Sequence, residues 1–382
     1  MKIDPSIIER VIDLAIQIQQ IPAPTFGEGR RAEFVRKTFC DLGAKDVFVD
    51  DAGNVYTHVG QRGNKPPLII SAHLDTVFPP DTGLTSSRTR DKVTGPGIGD
   101  NSLGLAGLFG LYWIFKESSV DSGKSSALEG DIWLVANVGE EGLGDLKGMK
   151  AVVNRFGEDA LAYIVLEGMS LGQIYHRGLG VRRYRIHVHT KGGHSWVDYG
   201  NPSAIHEIAD LVVKIKGLSI PVEPRSSMNV GVITGGTSVN TIAADANIEL
   251  DLRSESTRVL NNLSEQVLLL VEEADRKGGE AISVDAEVIG DRPAGEIQAN
   301  HPLVKTAINC FASNGIKVKL NIGSTDANVP LSRGLPAICI GLSTGSGSHT
   351  LEEYIDTGPI AQGLGILADI IQAAFRSGIK NP

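Results

Sequence analysis

Apolar and polar positions follow two regimes along this chain. Residues 5–20 repeat apolar groups at helical spacing, and short apolar runs follow at 54–59, 67–72, 131–138 and 162–166. Such runs, bounded by polar or glycine-rich segments, predict strands buried on both faces. Residues 102–116 are mostly apolar and predict a buried helix, whereas the Ser/Gly-rich stretch 117–130 predicts a surface loop. This alternation predicts an α/β sheet. The pattern then changes. Residues 181–190 alternate like a half-buried strand, 202–217 are helical, 227–234 and 245–253 are strand-like, 256–277 form an amphipathic helix and 281–288 a last strand. That β-α-β-β-α-β order is ferredoxin-like. From residue 301 helix and strand alternate again. The expected fold class is a mixed-sheet α/β domain with helices on both faces, built from residues 1–178 and 295–382. A ferredoxin-like α+β domain, residues 179–294, is inserted into it.

Composition narrows the function. A chain of 382 residues that is 41% hydrophobic is ample for two globular domains. A formal net charge of -9, with no basic run, argues against a nucleic-acid surface. Residues 1–21 carry Asp4, Glu9, Arg10 and Asp13 on a helical pattern, unlike a signal peptide or membrane anchor. The longest apolar stretch, 104–115, is too short to span a bilayer. Cys40, Cys310 and Cys339 are scattered, which fits a reducing cytoplasm and makes a thiolate metal site an unattractive reading.

The candidate chemistry sits at the strand ends. In Ile70-Ser71-Ala72-His73-Leu74-Asp75, the histidine and the acid are two residues apart in extended chain, so they point to the same side. A metal-bound imidazole needs such a partner to fix its tautomer. Asp100 and Asn101 follow a glycine-rich turn, Glu140 and Glu141 follow the run 132–138, Glu167 follows 162–166, and His349 follows 337–342 across a Ser/Gly-rich loop. In an open α/β sheet, ligands bind outside the carboxyl ends of the strands. Two histidines and three carboxylates meeting there suit a pair of divalent transition ions. Two Zn2+ per chain is the first expectation, with Co2+ or Mn2+ as substitutes. Asp100, in its flexible turn, is the natural bridge between them. The doublet Glu140-Glu141 can divide the work, one acid binding metal and the other moving a proton.

The motifs SAHLDTV, GPGIGDNSLGLAG, NVGEEGLGDLKGMK, IVLEG, KGGHSW, GGTSVNTIAADANIELDLRS, GSTDANVP and GSGSHTLEEYID span most of the chain. As a set they resemble the two-zinc metallopeptidase family of peptidase T, carboxypeptidase G, the aminoacylases, acetylornithine deacetylase and succinyl-diaminopimelate desuccinylase. The resemblance implies that His73 and Glu167 bind one zinc, Glu141 and His349 the other, and that Asp100 bridges them with a cis peptide to Asn101. It makes Asp75 the partner of His73 and Glu140 the general base. Many members carry a second acid where this chain has Asn101, so that position is not expected to be a ligand.

The resemblance also gives the inserted domain a lid and dimerisation role. His194, in Lys191-Gly192-Gly193-His194, is implied to reach the partner subunit of a homodimer and support the oxyanion. Asn240 and Arg253 are implied substrate-binding residues, Arg253 gripping a free carboxylate with its planar fork. A surface salt bridge is the plain alternative for Arg253. Ser324, in GSTDAN, is a candidate pocket residue, with a helix cap as its alternative. The expected protein is a cytoplasmic dizinc hydrolase of small peptides, of aminopeptidase or dipeptidase type. The alternatives are an N-acyl amino acid deacylase and a non-catalytic metal- or peptide-binding relative.

Overall fold

Four parallel strands lie side by side in the order Asp131–Asn137, Leu68–His73, Ala162–Glu167, Ala337–Gly341. Their residues are buried almost without exception, so both faces of the sheet are covered. Val55–Gly60 extends the sheet antiparallel on one side and Gln173–Gly178 on the other. Gln173–Gly178 also pairs antiparallel with Gly295–Glu296 and in parallel with Lys319–Gly323, and the antiparallel pairs make the sheet mixed. The computed structural model describes residues 1–60, 65–121, 128–377 and 379.

The helices show why the chain folds this way. Asp4 caps the helix Pro5–Gln19 by accepting the Ser6 N–H at 2.8 Å, and Pro5 opens the first turn. Ile7, Val11, Leu14 and Ile18 recur on its buried face. It packs on the helix Leu103–Asp121. That helix runs past the expected end at 116, so residues 117–121 are helical rather than loop. Residues 122–127 of the same expected loop lie outside the described residues. The helix Gly29–Asp41 was not anticipated. Its buried side chains are Arg31, Ala32, Val35 and Phe39, a stripe too narrow and too polar to read as helical periodicity.

A small antiparallel sheet joins distant parts of the chain. Its strands are Gly345–Ser346, Tyr354–Asp356, Lys92–Thr94 and Ser87–Arg88, in that order. Pairing of Tyr354 with Thr94 sets the loop bearing His349 beside the turn bearing Asp100.

The chain divides into two compact units, Met1–Gly178 with Gly295–Pro382, and Leu179–Ala294. The second unit has an antiparallel sheet in the order Ser226–Gly235, Asp245–Ser254, Gly180–Thr190, Ile282–Arg292. Helices Ala204–Lys216 and Thr257–Gly278 pack on it, completing the ferredoxin-like order. Tyr184, Ile186, Val188, Ile248, Leu250 and Leu252 point into its core. Alternate residues carry charge pairs, Arg183 with Asp251 and Arg185 with Glu249. The last strand is longer than the expected 281–288, continuing to Arg292 past an irregularity at Val288 to Gly290. Among the described residues, no helix is long and apolar enough to cross a membrane.

Candidate metal centre

The parallel strands deliver their ends to one edge. His73 closes the strand Leu68–His73 and Glu167 closes Ala162–Glu167. Glu140 and Glu141 follow Asp131–Asn137 after Val138 and Gly139. Asp100 lies in the turn 98–102, where Asp100 and Asn101 leave helical geometry and their shared peptide is cis. His349, with φ of 66°, sits in the loop between the short strands Gly345–Ser346 and Tyr354–Asp356.

The side chains converge. Asp100 Oδ1 is 3.0 Å from His73 Nε2, and Asp100 Oδ2 is 3.2 Å from His349 Nε2. Glu167 Oε2 stands 3.7 Å from His73 Nε2, and Glu141 Oε1 stands 3.2 Å from His349 Nε2. The sets His73, Asp100, Glu167 and Asp100, Glu141, His349 each offer ligand atoms within 4.8 Å of one another. A third set, His73, Glu140, Glu141, meets the same distance. Nitrogen and oxygen donors gathered at this spacing fit divalent transition ions.

The electrostatics point the same way. Burial opposes charge on His73, yet Asp100, Asp75 and Glu167 raise its pKa well above the ordinary value. Asp100 and Glu141 push His349 up to about 10. Burial alone would raise Asp100, but His349 and His73 hold it well below the usual carboxylate range. Burial pushes Glu167 up to about 7 despite the pull of His73. Acids outnumber bases in this cluster, and protons on the histidines take the part that cations are suited to fill.

Behind the cluster lies a buried scaffold. Asp75 faces His73 Nδ1 at 3.5 Å, while its own carbonyl is closer to that nitrogen, at 3.0 Å. Its carboxylate also accepts the backbone N–H groups of Glu140 and Glu141, at 2.9 and 2.8 Å, and the Thr25 hydroxyl at 2.9 Å. Glu28 accepts the Gly139 N–H at 3.1 Å. Arg31 donates to the Leu74 carbonyl at 2.8 Å and to Ile21. Burial lowers the Arg31 pKa to about 10, which leaves it charged at neutral pH. Glu353 accepts three backbone N–H groups, from Gly97, Gly99 and Asp100, at 3.1, 2.6 and 2.8 Å.

Asn101 clamps Glu167 from both sides. Its amide donates to the Leu166 carbonyl at 2.8 Å and accepts the Gly168 N–H at 3.1 Å. The clamp requires glycine at 104, where a Cβ would stand 1.9 Å from Asn101 Oδ1. Asp326 is buried and accepts from Asn137 at 2.7 Å, while Ser324 is partly buried beside it in the chain.

Two of the substrate-side candidates meet in the inserted unit. His194 pairs with Thr241 in a two-stranded ribbon, and the Ser195 N–H bonds the Asn240 carbonyl at 3.1 Å. Arg253 is not part of that ribbon. It lies at the end of Asp245–Ser254, with its Nε 2.7 Å from Asp251 Oδ2. Thr25, Glu28, Arg31 and Glu353 escaped the sequence reading. Glu353 alone left a signal, an acid pair four residues past a candidate ligand.

Comparison with known proteins agrees with this architecture. The Bacillus subtilis protein YqjE, itself uncharacterized, is 23% identical over 382 residues, covering 96% of this chain and 99% of that one. A tripeptidase structure from Staphylococcus aureus superposes with a TM-score of 0.79 at 20% identity, covering 98% of this chain and 100% of the other. The aminopeptidase PepT structure from Bacillus cereus gives 0.75 at 22% identity, covering 96% and 98%. The sequence matches the peptidase family M20/M25/M40 over residues 69–373, and the chain belongs to that family.

Proposed function

We propose that this chain is a dinuclear metal hydrolase that cleaves amide bonds of small peptides, as an aminopeptidase or dipeptidase. The observation that carries the reading is the division of Asp100, one carboxylate oxygen facing His73 and the other facing His349. His73 and Glu167 would hold one ion, Glu141 and His349 the other, and Asp100 both. When bound, such a pair polarises the scissile carbonyl and makes the attacking water more acidic. Zn2+ fits the nitrogen and oxygen donors best, with Co2+ or Mn2+ as substitutes.

Glu140 accepts the proton of the attacking water and returns it to the leaving amine. The hydrogen bonds from the Glu140 and Glu141 backbone to Asp75 keep this base and the neighbouring ligand in fixed register. His194 stabilises the oxyanion in the partner subunit of a homodimer, with Asn240 beside it. Exposed Trp196, Val197 and Tyr199 in the His194 loop, and exposed Val232 and Ile233 on the edge strand Ser226–Gly235, support a dimer interface. Arg253 exchanges Asp251 for the free carboxylate of the substrate. Three unpaired cysteines support a cytoplasmic location.

A screen of di- and tripeptides and N-acyl amino acids, with zinc-loaded and chelator-stripped protein, tests the function. Metal-dependent release of amino acids from peptides supports it. Hydrolysis confined to N-acyl amino acids would make the protein a deacylase, and turnover of neither class would make it a binder. Mixing His194→Ala with Glu140→Gln protein under subunit exchange tests the dimer. Activity should return toward about a quarter of wild type if each site borrows His194 from its partner. No recovery despite verified exchange removes that role.

A further inference from the structure

Four large apolar side chains stand in solvent on segments that build the metal cluster. Phe26 is 66% exposed, Leu351 60%, Leu143 44% and Val77 39%. Phe26 follows Thr25, whose hydroxyl lies 2.9 Å from Asp75 Oδ2 and 3.3 Å from the Glu141 carbonyl. That carbonyl also accepts the Gly144 N–H at 2.8 Å, closing the turn that presents Leu143. Leu351 is two residues past His349, whose ring meets Glu141, and Val77 is two residues past Asp75. Phe26 and Leu143 are thus anchored through one carbonyl of the ligand-bearing loop.

Core packing does not explain these residues, because exposed side chains contribute little to it. Phe26 also has a φ of 71°, a left-handed backbone that a bulky residue adopts against a steric penalty. Its neighbours hold it there, Thr25 through Asp75 and Glu28 through the Gly139 N–H. A strained, exposed aromatic residue beside a reaction centre indicates a functional constraint.

We propose that Phe26, with Leu143 and Leu351, forms an apolar wall that receives the side chain next to the scissile amide. The inference rests on the hydrolase reading above. The enzyme accordingly selects substrates with leucine, methionine or phenylalanine at that position over those with serine or aspartate. Burial of such a side chain against hydrocarbon is worth discrimination of about tenfold or more.

The test compares kcat/KM for di- and tripeptides that carry Leu, Phe, Ser or Asp next to the cleaved bond. Wild type is measured against Phe26→Gly and Leu143→Ser. Glycine accepts the left-handed backbone, so Phe26→Gly should keep or raise the melting temperature. The expected result is a wild-type preference for Leu and Phe over Ser of about tenfold, reduced about fivefold or more by Phe26→Gly. Equal losses on all substrates, or an unchanged preference, would overturn the wall. So would wild-type cleavage without preference, which leaves the hydrolase reading standing. Failure of the metal-loaded wild type to cleave any peptide or N-acyl amino acid would remove both.

Discussion

The carboxylate of Asp75 receives the backbone N–H of Glu140 at 2.9 Å. Its other oxygen takes the N–H of Glu141 at 2.8 Å, so one buried acid holds the proposed base and the proposed ligand together. An asparagine there keeps one acceptor oxygen, and its amide hydrogens confront a peptide N–H. A buried donor left unpaired costs about 1–3 kcal/mol. Asp75→Asn is therefore expected to lose about that much stability in denaturant unfolding. Turnover or metal affinity should fall about 10–100-fold, as for other groups that orient metal ligands. Unchanged stability and turnover would show that the carboxylate does not hold the doublet.

Glu140 and Glu141 should separate by mutation. Glu140→Gln keeps the shape but cannot accept a proton, so turnover should drop about a hundredfold or more with metal retained. Glu141→Gln should weaken metal binding as well, because its Oε1 is the atom facing His349. Parallel measurement of kcat and metal content for both variants checks the division. Near-normal turnover in Glu140→Gln with full metal would move the base elsewhere.

Glu353 ties the His349 loop to the Asp100 turn through three backbone N–H groups. Glu353→Gln presents amide hydrogens where the turn needs acceptors. Stability should fall by about 1–3 kcal/mol for each N–H left buried without a partner. Metal affinity should fall with it, since Asp100 is one of the three anchored residues. Isothermal titration of the stripped variant, beside its unfolding curve, measures both effects.

Metal-free protein should show a distinctive pH dependence. The His349 pKa is raised to about 10 from 6.5 by its hydrogen bonds to Asp100 and Glu141. A raised base pKa means that folding takes up a proton. Its contribution is fully present below about pH 6.5 and is lost as pH rises toward 10. Melting temperatures of chelator-treated protein should decline across that window. Metal-loaded protein should decline less, because the cations replace the protons. Identical profiles with and without chelator would contradict this account of the cluster.

The central strands were legible because each is buried on both faces, as with 68–73 and 131–137, so the sequence shows unbroken apolar runs. The candidate ligand acids stood out because they follow the ends of such runs. The supporting residues were not legible, for physical reasons. Glu28 and Arg31 bind backbone groups of distant residues, which leave no trace in residue types, and Thr25 meets the Asp75 carboxylate fifty residues away. Glu353 follows Glu352 in a segment that reads as a solvated loop. The strands that carry it to Asp100 are two or three residues long, too short to show alternation. Asp251, two residues from Arg253 on the same face, was visible, but the pairing of Asp251 with Arg183 as well depends on strand register.

A dinuclear centre in this protein requires Asp100 to serve two ions. Elemental analysis of metal-replete protein after exhaustive dialysis, backed by anomalous scattering from crystals, measures it most directly. Two ions per chain in adjacent sites, with one Asp100 oxygen on each, is the predicted result. Saturation at one ion per chain, or two ions with Asp100 on only one, would contradict it.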